Sequence, residues 1–262
     1  MIYSDQIGNK IVLAEPPTRI VSVVPSQTEL LYDLGLDQEV AGITKFCIHP
    51  DKWFRTKTRV GGTKNLDIEK IIGLKPDIIF ANKEENNKDQ ILELQKYFPV
   101  WTSDINNLKS ALEMINSIGA ICNKTPEAKR IIETIEKNFQ SLNKYKYLNC
   151  VYLIWNKPIM TVGADTFISE MLDHAGFNNL MSALTRYPVL DEKDLTGMKP
   201  AYLLLSSEPF PFKEEHIVHF QKLLPASTIL KVDGEMFSWY GSRLMKSAGY
   251  FSELRSKIEN AS

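Results

Sequence analysis

The chain contains 262 residues, with 31 Lys and Arg against 32 Asp and Glu, so its formal net charge is −1. This balance argues against a dedicated nucleic-acid binder, because such a protein needs a dominant basic face. A hydrophobic share of 44% and a charged share of 24% are typical of a globular protein, and no apolar run approaches the roughly 18 residues of a transmembrane helix.

The amino terminus does not have the pattern of a secretory signal. Residues 1–10 (MIYSDQIGNK) lack a basic start followed by an apolar core. The apolar stretch at 11–14 is too short for the about 7–15 residues that such a core needs. We expect either a mature or trimmed form or a protein that is not exported by this route.

A strand, a turn and a helix are predicted near the amino terminus. Residues 19–24 (RIVSVV) form a short β-branched run without helical periodicity, which indicates a buried strand. Ser26 and Glu29 have the spacing of a capping box, and Gly35 is a suitable residue just past a helix end. A second strand at 150–155 and a second helix ending at Gly176 repeat this order.

A longer repeat supports two copies of one plan. Residues 69–80 and 193–204 share a short helix, then Gly, an apolar residue, Lys-Pro and an apolar strand. Pro76 and Pro200 are expected to mark the joint between helix and strand, with the preceding residue in extended geometry. Two repeats in the same order predict two similar α/β lobes with central sheets.

A single long helix is expected to join the lobes. Thr125 is a suitable N-cap with Pro126 in the first helical position. The apolar residues that follow recur every three to four positions, which predicts a helix to about residue 146. The predicted boundaries are therefore an N-terminal α/β lobe at 1–124, a connecting helix at 125–147 and a C-terminal α/β lobe at 148–262.

Several segments resemble the helical-backbone (class III) substrate-binding proteins of ABC importers, the family that includes periplasmic vitamin B12-binding and ferric-siderophore-binding proteins. They are 19–29 (RIVSVVPSQTE), 60–69 (VGGTKNLDIE), 74–79 (LKPDII) and 235–243 (EMFSWYGSR). The resemblance covers residues 5 to about 258. It implies two α/β lobes bridged by one helix, with a metal chelate such as cobalamin, haem or a ferric siderophore in the cleft between the lobes.

The resemblance also implies a permease partner, because each lobe of the family presents a carboxylate to arginines of the permease. Glu69 matches the position in the first lobe. The matching position in the second lobe is Lys193, which departs from the pattern, and its neighbours Glu192 and Asp194 would restore an acidic contact after a shift of one residue. A carboxylate that favours a helix N-terminus is the alternative explanation for these acids.

Candidate ligand contacts follow from the rule that α/β sheets bind ligands beyond the carboxyl ends of their strands. Their mixture of aromatic rings and charges suits a large, partly planar ligand such as a corrinoid or a chelated metal. A core position is the alternative for Trp155 and Phe237, whereas Trp239 and Tyr240 have the setting of a loop. The candidates are Pro25, Ser26, Gln27, Lys45, Phe46, Lys64, Glu84 and Glu85 in the first lobe, and Trp155, Arg186, Tyr187, Glu208, Phe237, Trp239 and Tyr240 in the second.

Capture of a bare metal ion is disfavoured, because the chain has four His and three scattered Cys without a C-x-x-C motif. His216 and His219 are three apart on a polar helix, which is typical of a surface. Cys47 and His49 are the one soft-ligand pair near the candidate site. They leave two interpretations open, an axial contact to a metal carried by the ligand or a buried Cys beside a capping His.

An enzyme is not expected, because the chain lacks G-x-S-x-G, P-loop, G-x-G-x-x-G and H-E-x-x-H motifs. The expected function is the substrate-binding component of an ABC-type importer, periplasmic by the resemblance and a monomer without an intrinsic cofactor. The alternative, suggested by the amino terminus, is a cytosolic chelate-handling or sensory protein that has the same fold and no transporter.

Overall fold

Strands and helices alternate along the chain, as the sequence predicts. The computed structural model describes residues 1–261. These residues form two units, each with its own sheet and core. Unit 1 consists of Met1–Ile105, Lys109–Ile135 and Tyr240–Arg243, and unit 2 consists of Asn106–Leu108, Glu136–Trp239 and the residues from Leu244 onward.

The segment Tyr240–Arg243 belongs to unit 1, whereas the expected boundary at 148 assigned it to the C-terminal lobe. Side-chain pairing explains the difference. Arg243 donates two hydrogen bonds of 2.8 Å to the buried carboxylate of Glu29. Tyr240 donates its hydroxyl to Glu85, also in unit 1. Pairs of residues so far apart in the chain cannot be predicted from a local sequence pattern.

The elements from the amino terminus to the long helix are, in chain order, β1 (Ile2–Ser4), β2 (Lys10–Val12), β3 (Ile20–Ser22), α1 (Pro25–Asp33), β4 (Val40–Ile43), α2 (Asp51–Thr56), β5 (Thr58–Arg59), β6 (Gly61–Gly62), β7 (Asn65–Leu66), α3 (Ile68–Leu74), β8 (Ile78–Asn82), α4 (Lys88–Leu94), β9 (Val100–Ser103), α5 (Leu108–Ile121) and α6 (Thr125–Gln140).

The central sheet of unit 1 has five strands in the order β5-β4-β3-β8-β9, and all its neighbouring pairs are parallel. Strands β3 and β8 are buried along their whole length. A parallel strand buried on both faces needs apolar side chains at nearly every position. This explains why residues 20–24 are apolar without alternation, apart from the buried Ser22.

Helix α1 confirms the predicted strand–turn–helix order, but its predicted capping box is wrong. Its N-cap is Val24, without a side-chain hydrogen bond, and Pro25 occupies the first turn. Proline is favoured there because its missing N–H would have no partner inside the helix. Glu29 pairs with Arg243 instead of reaching back to the cap. Gly35 ends the helix as predicted, with a φ of 79°.

The second half of the chain contains, in order, β10 (Leu148–Trp155), β11 (Ile159–Thr161), α7 (Phe167–His174), β12 (Phe177–Asn179), β13 (Val189–Leu190), α8 (Glu192–Met198), β14 (Tyr202–Ser206), α9 (Glu214–Leu223), β15 (Thr228–Val232), α10 (Glu235–Ser238) and α11 (Leu244–Ala261).

The sheet of unit 2 is mixed. Strands β12, β14 and β15 run parallel to β10 within the order β13-β11-β10-β14-β15, with β12 paired to β10 off this path. Strands β11 and β13 form an antiparallel edge. Among residues 1–261, no helix combines the length and the apolarity needed to cross a membrane.

The repeated Lys-Pro joints are confirmed as the ends of α3 and α8, each followed by a parallel strand. The predicted extended geometry before the prolines is wrong. Lys75 and Lys199 both adopt a left-handed conformation with a φ of 48°. A left-handed residue closes a helix by bringing its N–H onto the last carbonyls, as Lys75 does on Ile72. The same ending in both units supports the repeat.

Helix α6 begins at Thr125 as predicted and continues without a break from unit 1 into unit 2, but it ends at Gln140 and not near residue 146. The following residues are held by tertiary contacts. Arg255, which is 1% exposed, donates to the carbonyls of Lys146 and Gly176 at 3.0 and 2.9 Å. Its guanidinium also lies 4.8 Å from the ring of Tyr145. Tyr145 and Lys146, which lie beyond the end of the helix, are therefore held by contacts with Arg255.

Candidate functional site

The loops that follow β4, β6 and β8 meet at the carboxyl edge of the sheet in unit 1. The backbone N–H of Lys45 donates to the carbonyl of Gly61 at 2.8 Å. The ammonium group of Lys64, between β6 and β7, donates to the carbonyl of Glu84 after β8. Four of the predicted contacts, Lys45, Phe46, Lys64 and Glu84, are therefore brought together by the fold.

Lys45 and Phe46 form the outermost part of this edge. Phe46 is 52% exposed, and the Lys45 ammonium lies 5.1 Å from the centre of its ring. Both side chains lie over Gly62, where an added Cβ would come within 3.1 Å of Phe46 and 3.3 Å of Lys45. A glycine at this position therefore allows the two side chains to lie close to the backbone.

Glu84 and Glu85 are held in a turn by Asn82. The Asn82 side-chain oxygen accepts from the N–H groups of Glu84 and Glu85 at 2.8 and 3.0 Å. The carboxylate of Glu85 accepts from the hydroxyl of Tyr240. Burial, together with the adjacent Glu85 carboxylate, raises the pKa of Tyr240 well above its ordinary value, so this side chain remains a neutral phenol and a donor.

Pro25, Ser26 and Gln27 lie at the carboxyl end of β3, as predicted, but all three are buried. Gln27 donates to the hydroxyl of Ser103 at 2.6 Å and to the carbonyl of Ala81 at 3.3 Å. The side chain of Gln27 thus joins α1 to the ends of neighbouring strands.

In unit 2, Trp155 is 40% exposed at the end of β10, and its ring lies 5.6 Å from that of Phe210. The alternative of a core position is therefore wrong for Trp155. The same alternative is correct for Phe237, which is 0% exposed and packs against Tyr152 and Phe251 at 5.4 and 4.8 Å between ring centres.

Arg186 and Tyr187 are not at the carboxyl end of a parallel strand, contrary to the rule by which they were chosen. They lie just before β13, on the antiparallel edge of the sheet. Arg186 has a φ of 60°, its N–H donates to Asp165, and its carbonyl accepts from Gly163 at 2.7 Å. The Arg186 side chain is nevertheless exposed.

Trp239 and Tyr240 lie between α10 and α11, outside helices and strands as predicted, but each is only 6% exposed. In unit 2 the carboxylate of Glu208 accepts from the indole N–H of Trp239 at 2.8 Å and from the hydroxyl of Ser238 at 2.7 Å. Burial raises the pKa of Glu208, and the hydrogen bond from Ser238 opposes this shift. Ser238 and Asp165 are partners that the sequence did not indicate, because neither belongs to a recognisable motif.

Glu208 is expected to make stability depend on pH. Since its folded pKa lies above the ordinary value of 4.5, the folded state binds the proton more tightly than the unfolded state. The resulting stabilisation is complete below about pH 4.5 and is lost as the pH rises through the raised folded pKa.

Glu208→Gln retains an acceptor for Trp239 and removes the ionisation, so its free energy of unfolding should exceed that of the wild type at neutral pH and match it in acid. Urea unfolding across this pH range, with the exposed Glu214→Gln as control, measures the effect; parallel curves for Glu208→Gln and wild type would contradict it.

Cys47 has the features of a buried structural thiol. Its sulfur lies 3.1 Å from the hydroxyl of Thr28 and 3.2 Å from that of Thr44. Burial raises the pKa of Cys47 to about 11. His49 is half-buried. Within residues 1–261, no group of three or more His, Cys, Asp or Glu side chains has a geometry that could hold a metal ion.

The three cysteines are expected to resist alkylation in the folded protein. All are buried, and burial raises the pKa of Cys47 to about 11 and that of Cys122 to about 12. The thiolate is the reactive species, so iodoacetamide at about pH 8 should label none of them without denaturant and all of them in urea. Mass spectrometry counts the added groups. Rapid labelling of Cys47 in the folded state would instead indicate an accessible, functional thiol.

Of the predicted docking residues, Glu69 is exposed in the first turn of α3, where Asp67 supplies the cap. Asp194 is engaged in a capping box with Asp191. Glu192 lies beside His219, with 3.0 Å between its carboxylate and the ring nitrogen. Glu192 and His219 line a cavity of about 720 Å³ in unit 2, together with Lys157. Docking stays a prediction for all three acids.

Two α/β units that share one continuous helix define the class of helical-backbone substrate-binding proteins. A family model described as periplasmic binding protein matches residues 20–223, and the chain belongs to this family. This match confirms the expected class.

An uncharacterized ABC transporter substrate-binding lipoprotein of Bacillus subtilis is 26% identical over 209 residues, which are 75% of this chain and 66% of the lipoprotein. The chain thus spans just under two thirds of that relative. A vitamin B12-binding protein of Vibrio vulnificus is 24% identical over 202 residues, covering 74% of this chain and 72% of the relative. The crystal structure of a periplasmic haem-binding protein of Vibrio cholerae has the same fold, with a TM-score of 0.76 and 20% identity over 91% of this chain and 98% of the other.

Proposed function

We propose that this protein captures a metal chelate, such as cobalamin, haem or a ferric siderophore, and delivers it to the permease of an ABC importer without chemical turnover. The observation that carries the proposal is the set of exposed aromatic and charged side chains on ordered loops, above all Phe46 in unit 1 and Trp155 in unit 2. Large rings of this kind bind planar or bulky ligands through their faces. The relatives that bind vitamin B12 and haem support the choice of ligand class.

Titration of the purified protein with cyanocobalamin, haem and ferric siderophores tests this proposal. Tryptophan fluorescence is a suitable signal, because Trp155 is 40% exposed whereas Trp53 and Trp101 are fully buried. We expect saturable quenching by at least one chelate, with the metal complex recovered unchanged. Absence of a response to the whole panel, also by calorimetry, would contradict capture of a chelate.

A pair of matched variants tests which surface binds. Phe46→Ala should weaken chelate affinity by about tenfold, since truncation of a central aromatic contact typically has an effect of this size. Leu92→Ala is the control, because Leu92 is similarly exposed, at 48%, but lies on α4. Equal affinities for the two variants would exclude Phe46 as a ligand contact.

The proposed location is the outer face of the cytoplasmic membrane or the periplasm, with the protein acting as a monomer. Its kinship with a substrate-binding lipoprotein supports this location. Fractionation of the native host, with determination of the amino terminus of the protein, tests it. Recovery in the cytoplasmic fraction with an uncleaved terminus would favour the cytosolic chelate-handling alternative.

A further inference from the structure

The loops of unit 1 direct their cations outward and their carboxylates inward. Lys45 and Lys64 are exposed, whereas Glu84 and Glu85 are partly buried. One carboxylate oxygen of Glu84 is inaccessible, and the carboxylate of Glu85 is engaged by the hydroxyl of Tyr240. Although these loops carry both signs of charge, the groups that meet solvent first are ammonium groups.

An aromatic ring accompanies these cations in a fixed position. Phe46 follows Lys45 directly, and the ammonium of Lys45 lies 5.1 Å from its ring centre. Both side chains lie close to the backbone of Gly62. The backbone bond between Lys45 and Gly61 and the bond from Lys64 to Glu84 hold the three loops together. A ligand would therefore meet a preorganised surface of two cations and one ring face.

Unit 2 carries a similar pair of neighbours in Arg186 and Tyr187, with 5.7 Å between the guanidinium and the ring centre. The left-handed backbone of Arg186 is unusual for a residue with a side chain and requires support from its surroundings. Asp165 and Gly163 provide that support through hydrogen bonds to the N–H and the carbonyl of Arg186. An exposed cation beside an aromatic ring is thus held in place in each unit.

We propose that the transported chelate is anionic and carries aromatic groups, as a ferric tris-catecholate does, and that Lys45, Lys64 and Phe46 bind it in unit 1. The inference rests on the proposed function and selects among its ligand classes. A ferric tris-catecholate is trianionic with aromatic rings on its outside, whereas a ferric trihydroxamate is uncharged. The ammonium groups attract the charged tris-catecholate complex, and the ring of Phe46 can stack on its aromatic groups.

Binding is measured by fluorescence with the iron(III) complexes of a tris-catecholate and of a trihydroxamate siderophore, and with cyanocobalamin. We expect the tris-catecholate to bind at least about tenfold more tightly than the others, with an affinity that falls as salt screens the charges. Tighter, salt-independent binding of the trihydroxamate or of cyanocobalamin would overturn this inference and leave the proposed function intact. Failure of these three chelates and of haem to bind would overturn both.

Charge variants complete the test. Lys45→Gln and Lys64→Gln should each weaken tris-catecholate binding roughly two- to fivefold, the range for an exposed ion pair. Lys64→Arg should retain the wild-type affinity. Lys109→Gln removes the same charge from an exposed position on α5 and should have no effect. Loss of affinity in Lys109→Gln equal to that in Lys45→Gln would contradict a local role for these cations.

Discussion

Replacing Arg243 by Leu is expected to lower the free energy of unfolding by about 3–5 kcal/mol, because it leaves the Glu29 carboxylate buried without its bidentate partner. The two side chains are 7% and 9% exposed, and both hydrogen bonds measure 2.8 Å. Urea unfolding followed by circular dichroism measures the loss. The pair also attaches the segment Tyr240–Arg243 to unit 1, so the variant should be more easily cleaved by protease near this segment.

Two control variants distinguish the cost of leaving a buried charge unpaired from the cost of breaking an ion pair. Arg55→Leu breaks the Arg55–Asp51 pair, which has a similar distance of 2.7 Å but side chains that are 74% and 69% exposed. Its effect should not exceed about 1 kcal/mol. The double variant Glu29→Leu/Arg243→Leu should recover most of the lost stability, because it leaves no uncompensated buried charge. A cost for Arg243→Leu as small as that for Arg55→Leu would contradict the assignment.

Reversing the charge of Glu69 is expected to abolish association with the permease and to leave chelate affinity unchanged. Glu69 is exposed on α3, and the family resemblance assigns docking to this position. A lysine there would repel a permease arginine, and like charges at an interface cost several kcal/mol. Co-purification of Glu69→Lys with the cognate permease in lipid nanodiscs, alongside a ligand titration, measures both properties.

The effect of the same substitution on the helix itself needs a control, because an acid in a first turn also stabilises the helix by about 0.3–1 kcal/mol. Glu127→Lys reverses an acid in the first turn of α6 and should cost similar stability while the permease still binds. If Glu69→Lys instead weakened chelate binding and stability together, Glu69 would be a structural residue and the docking assignment would be wrong.

The features of this protein that depend on neighbours in the chain could be predicted from the amino-acid sequence. The apolar run before α1, the glycine that ends α1 and the two Lys-Pro joints indicate strands, helices and their repetition. These signals are local, because strand burial, helix termination and proline geometry act over a few residues. Together they predict two α/β units and, with the resemblance, the class of protein.

Which candidate site residues are exposed depends on the tertiary structure. Phe46 and Trp155 are exposed, whereas Phe237, Trp239 and Gln27 are buried, although all five were predicted as ligand contacts. Whether a side chain is exposed depends on partners distant in the chain, such as Glu208 for Trp239, 31 residues away. The residues just before β10, which were predicted to continue α6, likewise have a distant partner, because Arg255 donates to the carbonyl of Lys146. Such long-range pairings leave no periodic signal in the sequence, since their energy comes from burial and hydrogen bonding that exist after the chain has folded.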